Sequence, residues 1–419
     1  MNSKRILAEG VEVNNDTHQT NLNNNDLIIG SAGAGKTSGY VLPNLLRLDS
    51  SCIVADTKGN LRRKTERILR QKGFRIHNID FIDLRRSDAY NPLDYIGRNS
   101  DGSWSEQDIT SLSRALMPKL SKDEPFWETS AQTAISAMIA YVLEALPEEE
   151  HNMYSVLEVF KVFETAQGRK MFHALHGKNP RSFAFRRYQM VSGVFIAEKT
   201  WGCIRQFVAE ALELFDIEES RHVFAGKSSF RFSDLGEEKA VLFLNISDVD
   251  RTFDRIVRVL YTQLFKVLCR HADLSPDDRL KVPVRIILDD FSTNFIIPDF
   301  DNIISVIRSR EISSTIILQS LTQLSAMYGK DKAGTILNNC DHILYLGGQD
   351  MKTAEYIGNR ANKSPHTVFN LPLQAAVVLE RGKDARFVNK IKPTYSVQLM
   401  REYEENAQSA DRDCLREPI

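Results

Sequence analysis

Cysteine is scarce in this chain, and the five present (Cys52, Cys203, Cys269, Cys340 and Cys414) are scattered, with no C-x-x-C pair. That pattern carries no reactive-site signature and suits buried structural thiols in a reducing cytoplasm. Histidine clustering is absent apart from His173 and His176. No acidic or thiol companion lies near that pair, which argues against a zinc site. Net charge is also nearly absent: −1, with a pI near 6.8. A globally basic nucleic-acid binder is thereby excluded, so any DNA contact must be a local patch or a product of assembly. Long apolar runs are missing too. The best window, AISAMIAYVLEAL at 134–146, is interrupted by Glu144 and falls short of the ~20 residues a spanning helix needs. No signal peptide precedes residue 30, where NNDTHQTNLNNND reads as a polar lead-in, so the chain as given is expected to be soluble. At 419 residues it exceeds one compact core and is expected to hold two domains or a domain with an insertion.

What is present is organised around Gly30-Ser31-Ala32-Gly33-Ala34-Gly35-Lys36-Thr37. This stretch fits G-x-x-x-x-G-K-[ST] in full, follows the apolar run Leu27-Ile28-Ile29, and precedes SGYVLPNLL, a helix that Pro43 should end or kink. In a strand–loop–helix context the glycines let successive N–H groups turn toward a polyphosphate, and the helix N-terminus favours its charge. The expected nucleoside-triphosphate site comprises Gly30, Ser31, Ala32, Gly33, Ala34, Gly35, Lys36, Thr37 and Ser38. Lys36 would reach the β- and γ-phosphates of ATP and Thr37 would place its hydroxyl on Mg²⁺.

Further along, SCIVAD at 51–56 reads as a strand ending in Asp56. Residues 58–75 then carry eight basic side chains against Glu66 alone, on a helix striped by Leu61, Ile68 and Leu69. That helix reads equally well as a solvated face or a phosphate-contact surface. RIHNID reads as a third strand and SDAYNPLDYI as a loop turning at Asn91-Pro92. From 104 to 222 helical periodicity dominates, with 13 Lys/Arg against 17 Asp/Glu, which suggests a mildly acidic all-helical insertion. Within it, Arg181, Arg186 and Arg187 interleave with Phe183, Phe185 and Tyr188. This pattern can stack bases, or simply bury rings and expose arginines.

Strands resume at AVLFLNI (240–246), and a long helical segment follows. VRIILDD (284–290) has the pattern of a Walker B strand: Asp289 would hold the Mg²⁺ hydration shell and Asp290 would orient the attacking water. STIILQS (314–320) and HILYLG (342–347) complete a mainly parallel sheet, and Gln319 would face the γ-phosphate from a strand between the P-loop and Walker B strands. Arg308 and Arg310 fall at a helix terminus, where an arginine either pairs locally or reaches a neighbouring subunit's nucleotide.

Eight ordered motifs, GSAGAGKTSGYVLPNLL, ADTKGNL, YNPLDYI, EPFWETSA, ILDDF, IRSREIS, ILQSLTQLSAMYG and ILNNC, give the chain from about Asp26 to Gly382 a specific resemblance. It resembles the type IV secretion coupling proteins, conjugative DNA-transfer ATPases of the TraG/TraD type. The resemblance implies an α/β, RecA-like P-loop motor domain (1–103 and 223–395), an inserted all-α domain (104–222) and a polar C-terminal tail (396–419). It also implies a homo-hexameric active ring, which the isolated chain need not form, delivering relaxase-bound single-stranded DNA to a secretion channel and its ATPases. Residue by residue it points to Lys36 and Thr37 for nucleotide, Asp289 for magnesium, Gln319 as γ-phosphate sensor and Arg308 as a finger acting in trans. The implied location is the cytoplasmic face of the membrane.

Two departures stand out. The family carries an N-terminal membrane anchor, whereas the glycine loop here begins at residue 30, so the anchor was removed or a partner supplies the tether. The family's catalytic glutamate is Asp290, whose carboxylate is retracted by about 1.5 Å, and a misplaced base costs ~10²-fold. The favoured reading is an ATP-driven DNA translocase. The alternative is a docking adaptor that binds nucleotide mainly for assembly and turns over slowly. A virion-packaging or chromosome-segregation ATPase would share the sheet but leaves YNPLDYI and EPFWETSA unexplained.

Overall fold

The computed structural model describes residues 3–118, 126–247, 249–289, 291 and 296–414. Two compact units are present: Met1–Asn78 with Phe232–Asp248 and Leu268–Ile419, and Ile79–Arg231 with Val249–Val267. The helical unit therefore begins earlier than the change in composition near 104, and it takes a second piece from the helix Asp254–Asp273.

A hairpin opens the first unit: β1 (Lys4–Ala8) and β2 (Val11–Asn14) pair antiparallel around Gly10, whose φ of 69° is the left-handed conformation glycine tolerates. The remaining strands are β3 (Asp26–Ile29), β4 (Ser51–Ala55), β5 (Arg75–Asp80), β6 (Ala240–Asn245), β7 (Val284–Leu288), β8 (Ile312–Leu318), β9 (His342–Tyr345), β10 (Ala375–Glu380) and β11 (Arg386–Asn389). Among the described residues they form one sheet in the order β11-β10-β9-β3-β8-β7-β4-β6-β5. The ladders joining β9, β3, β8, β7, β4 and β6 are parallel, whereas β10 pairs antiparallel with both β9 and β11. Every residue of β3, β4, β7 and β8 is buried, which explains their near-continuous apolar sequences. One sheet face carries Ile28, Val54, Ile287 and Ile317. Against it pack the hairpin, the helix after the glycine loop and the basic helix Asn60–Gln71.

Residues 396–414, polar by composition, belong to the helix Pro393–Cys414, and Leu399, Met400 and Tyr403 pack on that same core. The asparagine-rich lead-in is likewise structural. Asn25 Oδ1 accepts from Ser314 N at 2.8 Å, and Asn24 Oδ1 accepts from Arg5 Nη1 at 3.0 Å. Beneath β3 lies a buried ionic cluster. Asp26 Oδ2 and Oδ1 accept from Arg5 Nε and Nη2, both at 2.7 Å, and Oδ2 accepts from Tyr40 Oη at 2.5 Å and Arg285 Nη1 at 3.2 Å.

The second unit is built on the helix Phe126–Ala145, whose mainly apolar stretch Ala134–Leu143 is buried all round. Glu144, which interrupts that apolar run, accepts from Ser182 Oγ (2.5 Å), Phe183 N (3.0 Å) and Ala184 N (3.2 Å), and so caps the helix Phe183–Ser192. Phe183, Phe185 and Tyr188 are buried, and Tyr188 stacks on Phe172 at 4.2 Å. These rings are committed to the unit's own core, with Arg186 paired to Glu106. No helix among the described residues is long and apolar enough to cross a membrane.

Candidate functional site

The P-loop Gly30–Lys36 leaves the C-terminal end of β3 and is shaped by its glycines. Gly33 and Gly35 take φ values of 74° and 91°. A Cβ at Gly30 would come within 2.9 Å of Ala34 Cβ and 3.0 Å of Leu346 Cβ. The loop is anchored on both flanks: Gly30 N donates to Leu318 O and Ser31 N to Gly347 O, each at 3.0 Å. By contrast, the N–H groups of Ala32, Gly33, Gly35 and Lys36 make no hydrogen bond among the described residues, although these residues line a cavity of about 470 Å³. Unsatisfied donors at a helix start suit an anion.

Pro43 does not end the following helix, which continues to Leu46. Thr37–Val41 is instead a wide π-turn, closed by Leu42 N donating to Thr37 O, and Pro43 enters the α-helical piece Leu42–Leu46 near its start. Proline lacks the N–H that an α-turn would need at that point, so the preceding turn expands. Two further functional groups follow from this turn. Thr37 Oγ1 donates to Asp289 Oδ2 at 2.8 Å, and Lys36 Nζ donates to Gly30 O at 2.9 Å and Ser31 O at 3.1 Å.

The strand order sets the rest of the site. β8 lies between β3 and β7, so Gln319 and Asp289 emerge side by side from adjacent strand ends, and both line the cavity with Lys36 and Thr37. Asp289 is 6% exposed and Lys36 8% exposed. A hydroxyl, a carboxylate, an ammonium and a row of open N–H groups form a donor set that fits a nucleotide polyphosphate with Mg²⁺, a cation that prefers oxygen ligands. Asp290 lies outside the described residues.

Arg308 stands apart from this group. It is exposed and lines a different cavity, beside the first residues of β7 and β8, at the opposite end of the strands from the P-loop. Its neighbour Arg310 is bound to Asp273 by two contacts of 2.6 and 3.1 Å, while Arg308 has no side-chain partner among the described residues.

Sequence reading offered the basic helix as a phosphate-contact surface or a solvated face, but did not place it at the nucleotide cavity. Asp56, Thr57 and Lys58 line that cavity from the turn after β4, and Asn60 and Lys64 from the start of the helix Asn60–Gln71, because β4 sits beside β7. A strand ending in a carboxylate and followed by a basic helix was the available signal; the adjacency of the strands was not.

A mainly parallel sheet, with a P-loop on one strand and the acidic strand end two places away, defines a RecA-like P-loop NTPase fold. The sequence carries the assignment further: residues 3–375 match the model of the "Type IV secretory system Conjugative DNA transfer" family, and the chain belongs to that family. It is 22% identical over 333 residues to protein VirD4 of Rhizobium rhizogenes, covering 79% of this chain and 48% of VirD4. The chain thus spans about half the length of the curated relatives it matches. Among solved structures, plasmid coupling protein TrwB in complex with the non-hydrolysable ATP analogue ADPNP aligns with a TM-score of 0.68 and 18% identity, covering 94% of this chain and 90% of TrwB. TrwB in complex with ADP and Mg²⁺ aligns with a TM-score of 0.64 and 18% identity, covering 88% and 86%.

Proposed function

We propose that this chain is an ATP-driven coupling protein that recruits a relaxase–single-stranded DNA complex and delivers it to a type IV secretion channel. The observation that carries the reading is the convergence of Lys36, Thr37, Asp289 and Gln319 on one cavity in a chain of the conjugative DNA-transfer family. Bound Mg²⁺–ATP would supply the phosphoanhydride whose cleavage drives movement. Lys36 would leave the carbonyls of Gly30 and Ser31 to hold phosphate oxygens, Thr37 and Asp289 would ligate the metal, and Gln319 would sense the terminal phosphate. Residues 104–222 would serve as the all-α domain that meets the relaxase. A tether at the membrane would come from an anchor segment or a partner protein. The test is phosphate release with and without single-stranded DNA: stimulation supports the translocase, and nucleotide binding with DNA-independent, slow release supports the docking adaptor.

Asp290 favours that second reading, because its carboxylate is one methylene shorter than glutamate. Asp290→Glu is expected to keep or raise the rate, and Asp290→Asn to lower it by about 10²-fold or more. A fully active Asn variant would show that another group positions the water.

Arg308 is assigned to a neighbouring subunit's nucleotide, since it lies far from its own P-loop and, although Asp16, Asp49 and Glu311 line the same cavity, forms no ion pair among the described residues. Arg308→Ala and Lys36→Ala chains should each be inactive, yet a mixture should regain part of the wild-type rate at interfaces that hold one intact residue of each kind. Sedimentation confirms mixed oligomers; no recovery in such a mixture returns Arg308 to a role within its own subunit.

A further inference from the structure

The segment Lys58–Arg75, which runs through the basic helix Asn60–Gln71 to the start of β5, presents eight cations, most of them already engaged. Arg62 and Arg70 share Glu66 at 2.9 and 2.7 Å, and Arg63 bonds Asn60 Oδ1. Lys72 Nζ donates to Leu46 O and Leu48 O at 3.0 and 2.8 Å. Arg75 pairs with Glu238 at 2.9 Å, and Arg67 approaches Glu404 at 3.9 Å. Lys58 and Lys64 alone of the eight have no side-chain partner among the described residues, and these two line the P-loop cavity.

Their placement is built rather than incidental. Asp56, 3% exposed, accepts from Asn60 N and Arg62 N, each at 3.0 Å, which locks the turn after β4. Gly59 completes that turn with a φ of 63°, a conformation costly for other residues. Asn60, Leu61 and Lys64 then share one side of the helix through i+3 and i+4 spacings. Because β4 adjoins β7, this side stands next to Asp289.

We propose that Lys64 and Lys58 bind the terminal phosphate of the nucleoside triphosphate, forming a second cationic wall to the site, with Asp56 as the residue that positions them. The proposal rests on the nucleotide-binding reading of the P-loop. A triphosphate remains negative after one Mg²⁺ and one lysine, and a pair of unengaged ammonium groups facing the cavity complements that excess. Such a wall distinguishes triphosphate from diphosphate, because it touches only the group that hydrolysis removes.

The experiment is calorimetric titration of the full chain with ADPNP and with ADP, each with Mg²⁺. In Lys58→Ala/Lys64→Ala protein, ADPNP affinity should fall about tenfold or more while ADP affinity stays within about twofold. Lys64→Arg should retain most of the discrimination, and Arg63→Ala, outside the cavity, should change neither affinity. Equal weakening for both nucleotides, or no change for either, overturns the proposal. If wild-type protein binds neither nucleotide, the P-loop reading fails and the lysine assignment falls with it, a result distinct from failure of the lysines alone.

Discussion

Lys36→Ala protein is expected to bind ADPNP and release phosphate about 10²–10³-fold less well than wild type, the scale seen when one preorganised donor is removed from a reacting anion. Folding should survive the change. The ammonium donates only to two carbonyls of its own loop, and the anchors of that loop are the backbone bonds of Gly30 and Ser31 to the ends of β8 and β9. Titration calorimetry and a phosphate-release assay read the loss, and a thermal melt checks that the sheet is intact. Wild-type affinity in a folded variant would remove the P-loop from the mechanism.

The second large effect concerns stability. Asp26 is fully buried and faces two buried guanidiniums, Arg5 and Arg285, together with His342 Nδ1 at 3.4 Å. Burial by itself would raise its carboxyl pKa, but the charge of Arg5, the hydrogen bond from His342 and the charge of Arg285 outweigh it and hold the group well below the usual carboxylate range. Asp26→Asn leaves both arginines without their counter-charge, and should cost about 3–5 kcal/mol in urea unfolding. A cost below ~1 kcal/mol would show that the cluster is neutralised some other way. The pH dependence has a definite sign. A folded pKa below the unfolded one gives stability that is complete above about pH 4 and is lost as pH falls toward the folded value. Wild type should therefore lose stability on acidification more steeply than Asp26→Asn.

Local chemistry made the centre of the site legible. A glycine loop between an apolar strand and a helix needs no distant residue to be recognised, and VRIILDD and STIILQS announce buried parallel strands by their lack of alternation. The hairpin was hidden because Lys4 and Arg5 disguise a strand whose arginine is neutralised by Asp26, a partner 21 positions away. Glu144 read only as a break in an apolar run because the N-terminus it caps begins about 40 residues later. The place of the lysine-lined wall was hidden for the same reason: its proximity to Asp289 depends on β4 lying beside β7, and no short-range pattern records strand order.

The sheet order also has a consequence for how the chain is made. β3, which leads into the P-loop, is flanked by β8 and β9, and Asn25 waits for Ser314, 289 positions downstream, to satisfy its amide. At ribosomal speeds of about 5–20 residues per second, roughly 15–60 s separate the emergence of these partners. All the residues of the helical unit leave the ribosome within that interval. Through that time the apolar strand Asp26–Ile29 is synthesised but has neither neighbour, so the nucleotide site is among the last parts of the molecule to exist. A nascent chain stalled before residue 312 would carry a complete glycine loop on a strand with no neighbour to hold it, and would depend on chaperones to keep that exposed edge from pairing with other chains.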